Sequence, residues 1–171
     1  AQVVVLVIGG LIASYMVVTF VGGGGYIAGL KQLFVEAPEK FDMIFDKFSE
    51  YTDIQTGETK SSFDLLPGIS VLIGGMWIAN LYYWGNNQYI IQRALASKSL
   101  AEAQRGVAFA AILKIFMPLI VVIPGIAAYV ILQNPAAYGF TGEGISKADE
   151  AFPWVLNNFV QDGLKGLVFA A

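Results

Sequence analysis

Residues 80–89 read NLYYWGNNQY and lie within an apolar run that carries no charged residue from position 65 to position 92. A run of this length can cross a bilayer as a helix. Polar side chains at membrane depth are costly unless they face protein, water or a ligand. At helical spacing one stripe of this run contains Trp77, Asn80, Trp84 and Asn87, with Tyr83 one residue away. We therefore predict a membrane-spanning helix whose polar stripe faces a cavity.

The composition of the chain indicates a membrane protein. Of its 171 residues, 56% are hydrophobic and 13% are charged, and the mean hydropathy is +0.62. A soluble domain carries about 25% charged residues. The net charge is −3, and the sequence has no basic patch that would neutralise a nucleic-acid backbone. We therefore expect the lipid bilayer as a partner of this chain, and not nucleic acid.

The chain contains neither cysteine nor histidine. It therefore has no disulfide framework, no thiolate metal site and no cysteine nucleophile. It also lacks the commonest general base and the commonest zinc ligand. We expect a protein that is not an enzyme and that binds no cofactor.

Apolar and polar runs alternate along the chain, which predicts an all-α, polytopic membrane protein. The expected spans lie at about 1–22, 66–92, 106–132 and 164–171, and the last of them is truncated. Both ends of the chain lie inside apolar runs. We therefore expect one fragment of a transmembrane domain, with the rest of a longer chain as its partner.

The charges of the connections predict the orientation of these spans. Residues 93–105 hold three basic residues and one acidic residue, whereas residues 23–65 hold four basic and eight acidic residues. Cytoplasmic loops are enriched in Lys and Arg. We therefore expect 93–105 to be cytoplasmic, and 23–65 and 133–163 to be external. We interpret the acidic residues of the first external loop as a solvated surface and not as a binding site.

Shorter patterns predict structure within these loops. The four glycines at 22–25 are expected to end the first helix, because ordering consecutive glycines in a helix is costly in entropy. They do not form a phosphate-binding loop, since no Lys-Ser/Thr follows them. Apolar residues recur at helical spacing over 38–48, which predicts a short amphipathic helix. Residues 52–62 are rich in turn formers, and we expect them to be mobile. Ser99 and Glu102 have the spacing of a capping box that begins a helix.

Small residues mark two further features of the spans. Gly9, Gly10 and Ser14 form a pattern that lets a second helix approach closely in lipid. Gly74 and Gly75 precede the aromatic residues 82–84 and Gly85 follows them, and glycine on both sides favours a helix that is weakened or interrupted there.

Lys114 is the only charged residue of the span at 106–132. A lysine inside a span usually faces the bundle interior and binds a partner or substrate. The alternative is snorkelling, because at ~1.5 Å per residue Lys114 lies only ~11 Å from the start of the span. Pro118 cannot donate a hydrogen bond to the backbone carbonyl of Lys114.

Asn80 and Tyr83 also have two interpretations. An Asn can join helices by hydrogen bonds, and Tyr and Trp form belts at membrane surfaces. The functional interpretation is a site for a polyhydroxylated ligand. There the amide donates to and accepts from hydroxyl groups, and the aromatic ring covers the apolar face of a sugar.

The stretch that begins at Tyr83 has the pattern Tyr-Trp-x-x-x-Gln-x-Ile-x-Gln-Arg-x-Leu-x-x-Lys. With this pattern, residues 80–98 resemble the sodium/solute symporter family, in particular its bacterial sodium/galactose and animal sodium/glucose branch. Leu113-Lys114 with Pro118, and then Pro124-Gly125-Ile126, continue the resemblance. It covers essentially the whole chain, with a longer outer loop around 49–62 than in the bacterial relatives.

This resemblance implies a LeuT-type fold built from two inverted repeats, of which the chain supplies three spans and the start of a fourth. It implies that Asn80 and Lys114 bind sugar hydroxyls, that Tyr83 stacks on the sugar as the inner gate, and that Trp84 supports this gate. The animal members do not keep Asn at the position of Asn80. The sodium ion is the implied coupling ion, with ligands outside this fragment, so no metal ligand is assigned here.

We therefore expect part of a sodium-coupled sugar symporter that works by alternating access in a cell membrane, with a bacterial inner membrane favoured. The expected substrate-binding residues are Asn80, Tyr83, Trp84 and Lys114. Two alternatives stay open at this point. One is a sodium symporter for another solute, and the other is a sensor or structural membrane domain of the same fold.

Overall fold

The computed structural model describes residues 2–42, 44–45, 47–52, 57–64 and 68–169. Its α-helices, in chain order, are α1 (Gln2–Val21), α2 (Tyr26–Glu36), α3 (Gly68–Val71), α4 (Trp77–Leu81), α5 (Gln88–Leu95), α6 (Leu100–Gln133), α7 (Ala151–Phe159) and α8 (Asp162–Phe169). Short 3₁₀ helices lie at Pro38–Phe41, Ser62–Asp64, Pro135–Tyr138 and Ala148–Glu150, and π-helical segments lie at Leu72–Met76 and Tyr82–Asn86. The expected mostly helical fold is confirmed.

Among the described residues, two helices are long and apolar enough to cross a membrane, namely Val3–Val21 within α1 and Leu100–Gln133, which is α6. Helix α6 begins where the capping box at Ser99 predicts it, because the Ser99 hydroxyl accepts a hydrogen bond from the backbone N–H of Glu102 at 3.3 Å. Both Pro118 and Pro124 lie inside this helix.

The chain divides into two compact units. The first comprises Ala1–Asp42 with Phe116–Ala171, and the second comprises Met43–Ile115. Helix α6 contributes residues to each of them.

The first unit has a hydrophobic core formed by four helices. Its buried side chains include Val17 and Val18 of α1, Leu33 of α2, Ile131 of α6 and Val155 of α7. These side chains are fully excluded from solvent. Lipid tails are as apolar as these side chains, so where the helices span a membrane such a core is stabilised by close van der Waals packing between the side chains.

Close helix approach in this unit depends on glycine. A Cβ added at Gly10 would overlap the side chain of Ile120, which agrees with the close packing predicted for the small residues of α1. A Cβ at Gly29 of α2 would overlap the backbone carbonyl of Val18. The preceding turn contains Gly23 and Gly24 at positive φ, so the chain ends α1 there and returns across it as α2.

The predicted amphipathic helix over 38–48 is wrong in its extent, because helical structure ends at Phe41 and Asp42 is extended. Residues 43 and 46 lie outside the described residues. The physical reason is that the C-terminal half of this segment has no surface to bury, since Ile44 is 48% exposed and Phe48 is 93% exposed. A helix this short needs tertiary packing to persist.

Residues 50–61 contain a small antiparallel sheet that the all-α expectation did not include. Strand β1 (Glu50–Thr52) pairs with β2 (Thr59–Ser61), and Tyr51 lies opposite Lys60. Residues 53–56, where part of the predicted mobile segment falls, lie outside the described residues. Gly57, at φ +69°, provides the left-handed turn that precedes β2.

The expected span at 66–92 is not one continuous α-helix. Helix α3 is followed by the π-helical segment Leu72–Met76, then by α4, and then by the π-helical segment Tyr82–Asn86. The chain becomes extended at Asn87 before α5 begins. The first π-helical segment contains Gly74 and Gly75 and the second contains Gly85, so the predicted weakening of the helix coincides with these glycines.

Candidate functional site

The four predicted substrate-binding residues all lie in the Met43–Ile115 unit. Asn80 lies on α4, Tyr83 and Trp84 lie on the second π-helical segment, and Lys114 lies on α6. All four side chains are exposed. Among the described residues of this unit, the only buried residue is Ser62.

Lys114 and Trp84 are in contact although 30 positions separate them in the chain. The Lys114 ammonium nitrogen lies 4.2 Å from the centroid of the Trp84 ring. A cation over an indole face is stabilised by the ring quadrupole, by about 0.5–1 kcal/mol at an exposed site. Among the described residues, no carboxylate pairs with Lys114. Its three N–H donors are therefore available to a ligand that offers oxygen acceptors.

Tyr83 also contacts the Trp84 ring and so extends this cluster. The two rings are 5.3 Å apart, centroid to centroid, and meet edge to face at 83°. Aromatic pairs favour this arrangement. Tyr83 is 49% exposed and Trp84 is 41% exposed, so both rings keep a free surface. Tyr83, Trp84 and Lys114 thus form one continuous surface that combines ring faces with a cationic donor.

Asn80 is not part of this cluster in the described contacts. Its amide nitrogen donates a hydrogen bond to the backbone carbonyl of Met76 at 2.9 Å. Trp77, which lies on the predicted polar stripe, makes the same kind of bond, from its indole nitrogen to the carbonyl of Ile73 at 2.7 Å. The structure therefore unites three of the four predicted residues and turns the fourth towards its own helix.

Asn87 has a structural function that sequence reasoning missed. It is the N-cap residue of α5, and its side-chain oxygen accepts a hydrogen bond from the backbone N–H of Tyr89 at 3.0 Å. Asn is among the strongest N-cap residues. The Asn directly before the periodic segment at 88–95 was the signal that could have identified this cap.

A second polar cluster lies in the first unit and joins α2 to the 3₁₀ helix Pro135–Tyr138. The Tyr138 hydroxyl donates to the Glu36 carboxylate at 2.5 Å, and the Gln32 amide donates to that carboxylate at 3.0 Å and to the Tyr138 oxygen at 3.2 Å. Burial, followed by the hydrogen bond to Glu36 and its charge, raises the pKa of Tyr138 to about 12. Tyr138 is therefore neutral under ordinary conditions and acts as a donor.

Carboxylates elsewhere in this unit serve local structure. Glu150 accepts hydrogen bonds from the backbone and the hydroxyl of Ser146, and these bonds lower the pKa of Glu150. In the part of the chain that the structure describes, no three His, Cys, Asp or Glu side chains cluster as a metal site would require. The location of the sodium ligands outside this fragment stays a prediction.

Comparison with known proteins identifies relatives of the whole chain. Residues 1–171 match the sodium:solute symporter family. The chain is 48% identical over 178 residues to a "Sodium/glucose cotransporter" of Vibrio parahaemolyticus, which covers 99% of this chain and 31% of that protein. It is 37% identical over 153 residues to an "Uncharacterized symporter" of Escherichia coli (strain K12), covering 90% of this chain and 22% of that protein.

A human protein is also similar. The "Sodium/myo-inositol cotransporter 2" of Homo sapiens is 33% identical over 112 residues, which cover 61% of this chain and 16% of that protein. The chain spans less than a third of the length of these curated relatives.

The family match extends over every residue of the chain, and the polar and aromatic pattern from Tyr83 to Lys98 that first indicated the family lies within it. Symporters are transport proteins and not enzymes, as the sequence predicted. The long apolar helices α1 and α6 agree with a location in a membrane. This chain belongs to the sodium:solute symporter family.

Proposed function

We propose that the chain is part of a sodium-coupled sugar symporter and that it supplies part of the sugar site and the inner gate. The observation that carries this proposal is the cluster of Tyr83, Trp84 and Lys114, in which a cationic donor lies 4.2 Å from an indole face. A sugar has hydroxyl oxygens that accept from an ammonium group and apolar C–H faces that pack on an aromatic ring. The cluster offers both kinds of contact.

The names of the relatives support a cyclic, polyhydroxylated substrate. One relative is named for glucose and another for myo-inositol. Both molecules are six-membered rings that carry several hydroxyl groups, so one site chemistry serves them. Glucose or galactose is the first substrate class to test, and a cyclic polyol is the second.

In the proposed mechanism each residue has a separate task. Lys114 donates hydrogen bonds to hydroxyl oxygens of the sugar, and Trp84 holds the lysine ammonium in place. Tyr83 packs on the sugar ring and closes the inward path until sodium leaves. Asn80 donates to one hydroxyl and accepts from another through its amide. Alternating access moves these groups between outward-open and inward-open states.

The remaining parts of the proposal concern the whole protein. We infer a LeuT-type inverted-repeat fold, spans at the positions predicted from the sequence, and a multi-pass location in a bacterial inner membrane. Sodium is the coupling ion, and its ligands lie outside the residues of this chain. No resident cofactor is required.

The proposal is tested by measuring uptake of labelled galactose, glucose and myo-inositol into proteoliposomes that contain the full-length transporter. Sodium-driven accumulation of one of these rings, absent when potassium replaces sodium, is the expected result. Sodium-driven uptake of a different solute only would overturn the sugar assignment and leave the family fold intact. Uptake of no solute would favour a sensor or structural membrane domain.

A further inference from the structure

We propose that Trp77 is a positioning residue of the sugar site. Its indole N–H fixes the π-helical segment Leu72–Met76, and this segment in turn orients the amide of Asn80. The proposal rests on the function proposed above for Asn80. It concerns a residue outside the cluster of Tyr83, Trp84 and Lys114.

Two side chains of α4 donate hydrogen bonds to backbone carbonyls of the π-helical segment that precedes α4. Trp77 donates to the carbonyl of Ile73 at 2.7 Å, and Asn80 donates to the carbonyl of Met76 at 2.9 Å. Both acceptors belong to the π-helical segment Leu72–Met76, and each donor lies four residues beyond its acceptor. The two bonds therefore repeat one geometry on consecutive turns.

These side-chain hydrogen bonds can replace a backbone donor that a π-helical turn removes. In such a turn each backbone amide reaches back five residues instead of four, so a carbonyl group loses its usual partner. A carbonyl without a partner is costly in apolar surroundings. The indole of tryptophan is a donor only, and that of Trp77 bonds to the carbonyl of Ile73, which in an α-helix accepts from the backbone amide of residue 77.

Among the described residues, the centre of the segment has no side-chain packing to hold it in this conformation. Gly74 and Gly75 form its centre, and a Cβ added at either would meet no atom within 4 Å. Glycine makes the backbone permissive, so a one-residue change of register costs little there. Because each residue of a helix is rotated by roughly 100° from the previous one, such a change would turn Asn80 away from its present direction.

The bond to Met76 determines which atoms of Asn80 remain for a ligand. One amide hydrogen of Asn80 is donated to the Met76 carbonyl, and this hydrogen bond fixes the plane of the amide group. The second amide hydrogen and the side-chain oxygen remain, and they present one donor and one acceptor in a fixed orientation. This pair complements two neighbouring hydroxyl groups of a sugar ring. Trp77 therefore acts on sugar recognition through Asn80, without contacting the sugar.

The test replaces Trp77 by Phe in the full-length transporter, which keeps an aromatic ring and removes the N–H. Trp154→Phe is the matched control, because the Trp154 indole also donates to a backbone carbonyl, that of Glu143, at 2.7 Å in the other unit. Sodium-driven sugar uptake is measured for both variants, for Asn80→Ala and for the double variant Trp77→Phe/Asn80→Ala. Hydrogen exchange of the backbone amides at 72–81 is measured in the same proteins.

The expected result is a rise of roughly threefold to tenfold in the KM for sugar in Trp77→Phe, with little change in the maximal rate. The double variant should have the KM of Asn80→Ala, because groups that act through one another are not additive. Exchange at 72–81 should be faster in Trp77→Phe and unchanged in Trp154→Phe. An unchanged KM, or effects of the two substitutions that add fully, would overturn the proposal.

Failure of the proposed sugar-transport function would give a different experimental result from failure of the Trp77 proposal. If the wild-type protein takes up no sugar, the sugar assignment fails, and the exchange measurement still decides whether Trp77 holds the turn. Equal exchange at 72–81 in the wild type and in Trp77→Phe would overturn the positioning role, whichever solute is carried.

Discussion

The two units of this chain differ in what their side chains do. The unit formed by Ala1–Asp42 and Phe116–Ala171 contains every buried hydrophobic residue that the structure describes, from Ala13 to Val160. The Met43–Ile115 unit has large apolar side chains that are exposed, and it contains all four predicted substrate-binding residues. One unit is stabilised by a core of its own, whereas the other presents aromatic and polar groups on its surface.

This difference indicates a division between stability and recognition. Substitutions in the first unit should change the stability of the transporter and leave its affinity for sugar unchanged. Substitutions at the cluster of Tyr83, Trp84 and Lys114 should change transport and leave stability unchanged, because little apolar surface is lost from a core when they are truncated.

Tyr83→Ala is expected to have the largest effect on transport. Loss of the ring removes both the stacking surface and the proposed gate, so coupled uptake should fall by roughly a hundredfold or more, the order of a lost interaction of about 3 kcal/mol. The melting temperature should stay close to that of the wild type. Tyr89→Ala is the control, because Tyr89 is also exposed, at 70%, and contacts Arg93 instead of the cluster. Normal uptake by Tyr83→Ala would refute the gate.

Gly29→Ala should have the largest effect on stability. The added methyl group would overlap the carbonyl of Val18, so we expect the free energy of unfolding to fall by about 1–3 kcal/mol. Gly125→Ala is the matched control, because its Cβ would meet no atom within 4 Å. In that control the better helix propensity of Ala should stabilise by up to about 1 kcal/mol. Thermal unfolding in detergent measures both, and a changed KM in Gly29→Ala would contradict the division.

Lys114→Met should weaken sugar affinity by roughly tenfold to a hundredfold, because it removes a charged donor worth about 1.5–3 kcal/mol and keeps the aliphatic stem. The KM of sodium-driven uptake measures this effect. Lys165→Met is the control in the other unit, where the lysine pairs with an exposed Asp162 at 2.9 Å. An unchanged affinity in Lys114→Met would favour the snorkelling interpretation of this lysine.

The smallest expected effect is a pH dependence at Tyr138. Its pKa is raised from the ordinary value of 10 to about 12, so the neutral form is favoured in the folded protein. The stabilisation of the folded state by neutral Tyr138 is therefore fully present below pH 10 and is lost as the pH rises towards 12. Tyr138→Phe should abolish this alkaline loss and reduce stability by about 1 kcal/mol at neutral pH. Unfolding followed between pH 8 and 12 provides the comparison, and an identical profile in both proteins would contradict the assignment.

Local chemistry explains which parts of the fold could be predicted. The apolar composition and the glycines of α1 predicted a helix that another helix approaches closely, and Gly10 against Ile120 confirms this packing. Ser99 and Glu102 predicted the start of α6 because a capping box depends only on residues within one turn. Helix α2 was missed, because Lys31 and Glu36 give its sequence the character of a polar connection, and the packing of Gly29 on Val18 is a tertiary contact that periodicity within α2 does not reveal.

The sequence proposed a set of candidate site residues, which stays a prediction, and it carried no information about their geometry. Helical spacing selected Trp77 and Asn80, but it could not indicate that both side chains would bond to the backbone of a π-helical segment. The contact between Lys114 and Trp84 joins two helices, and periodicity within one helix carries no information about such a contact. The helix predicted over 38–48 failed for the related reason that periodic apolar residues need a surface to pack against.

The most direct test of the division between the units is the melting temperature of the full-length transporter in sodium, with and without saturating galactose, for the wild type and Lys114→Met. A ligand that binds only the folded state raises its melting temperature. We predict equal melting temperatures without sugar, a rise with galactose in the wild type, and a much smaller rise in Lys114→Met. An equal rise in both proteins would show that Lys114 does not bind the sugar and would contradict the account.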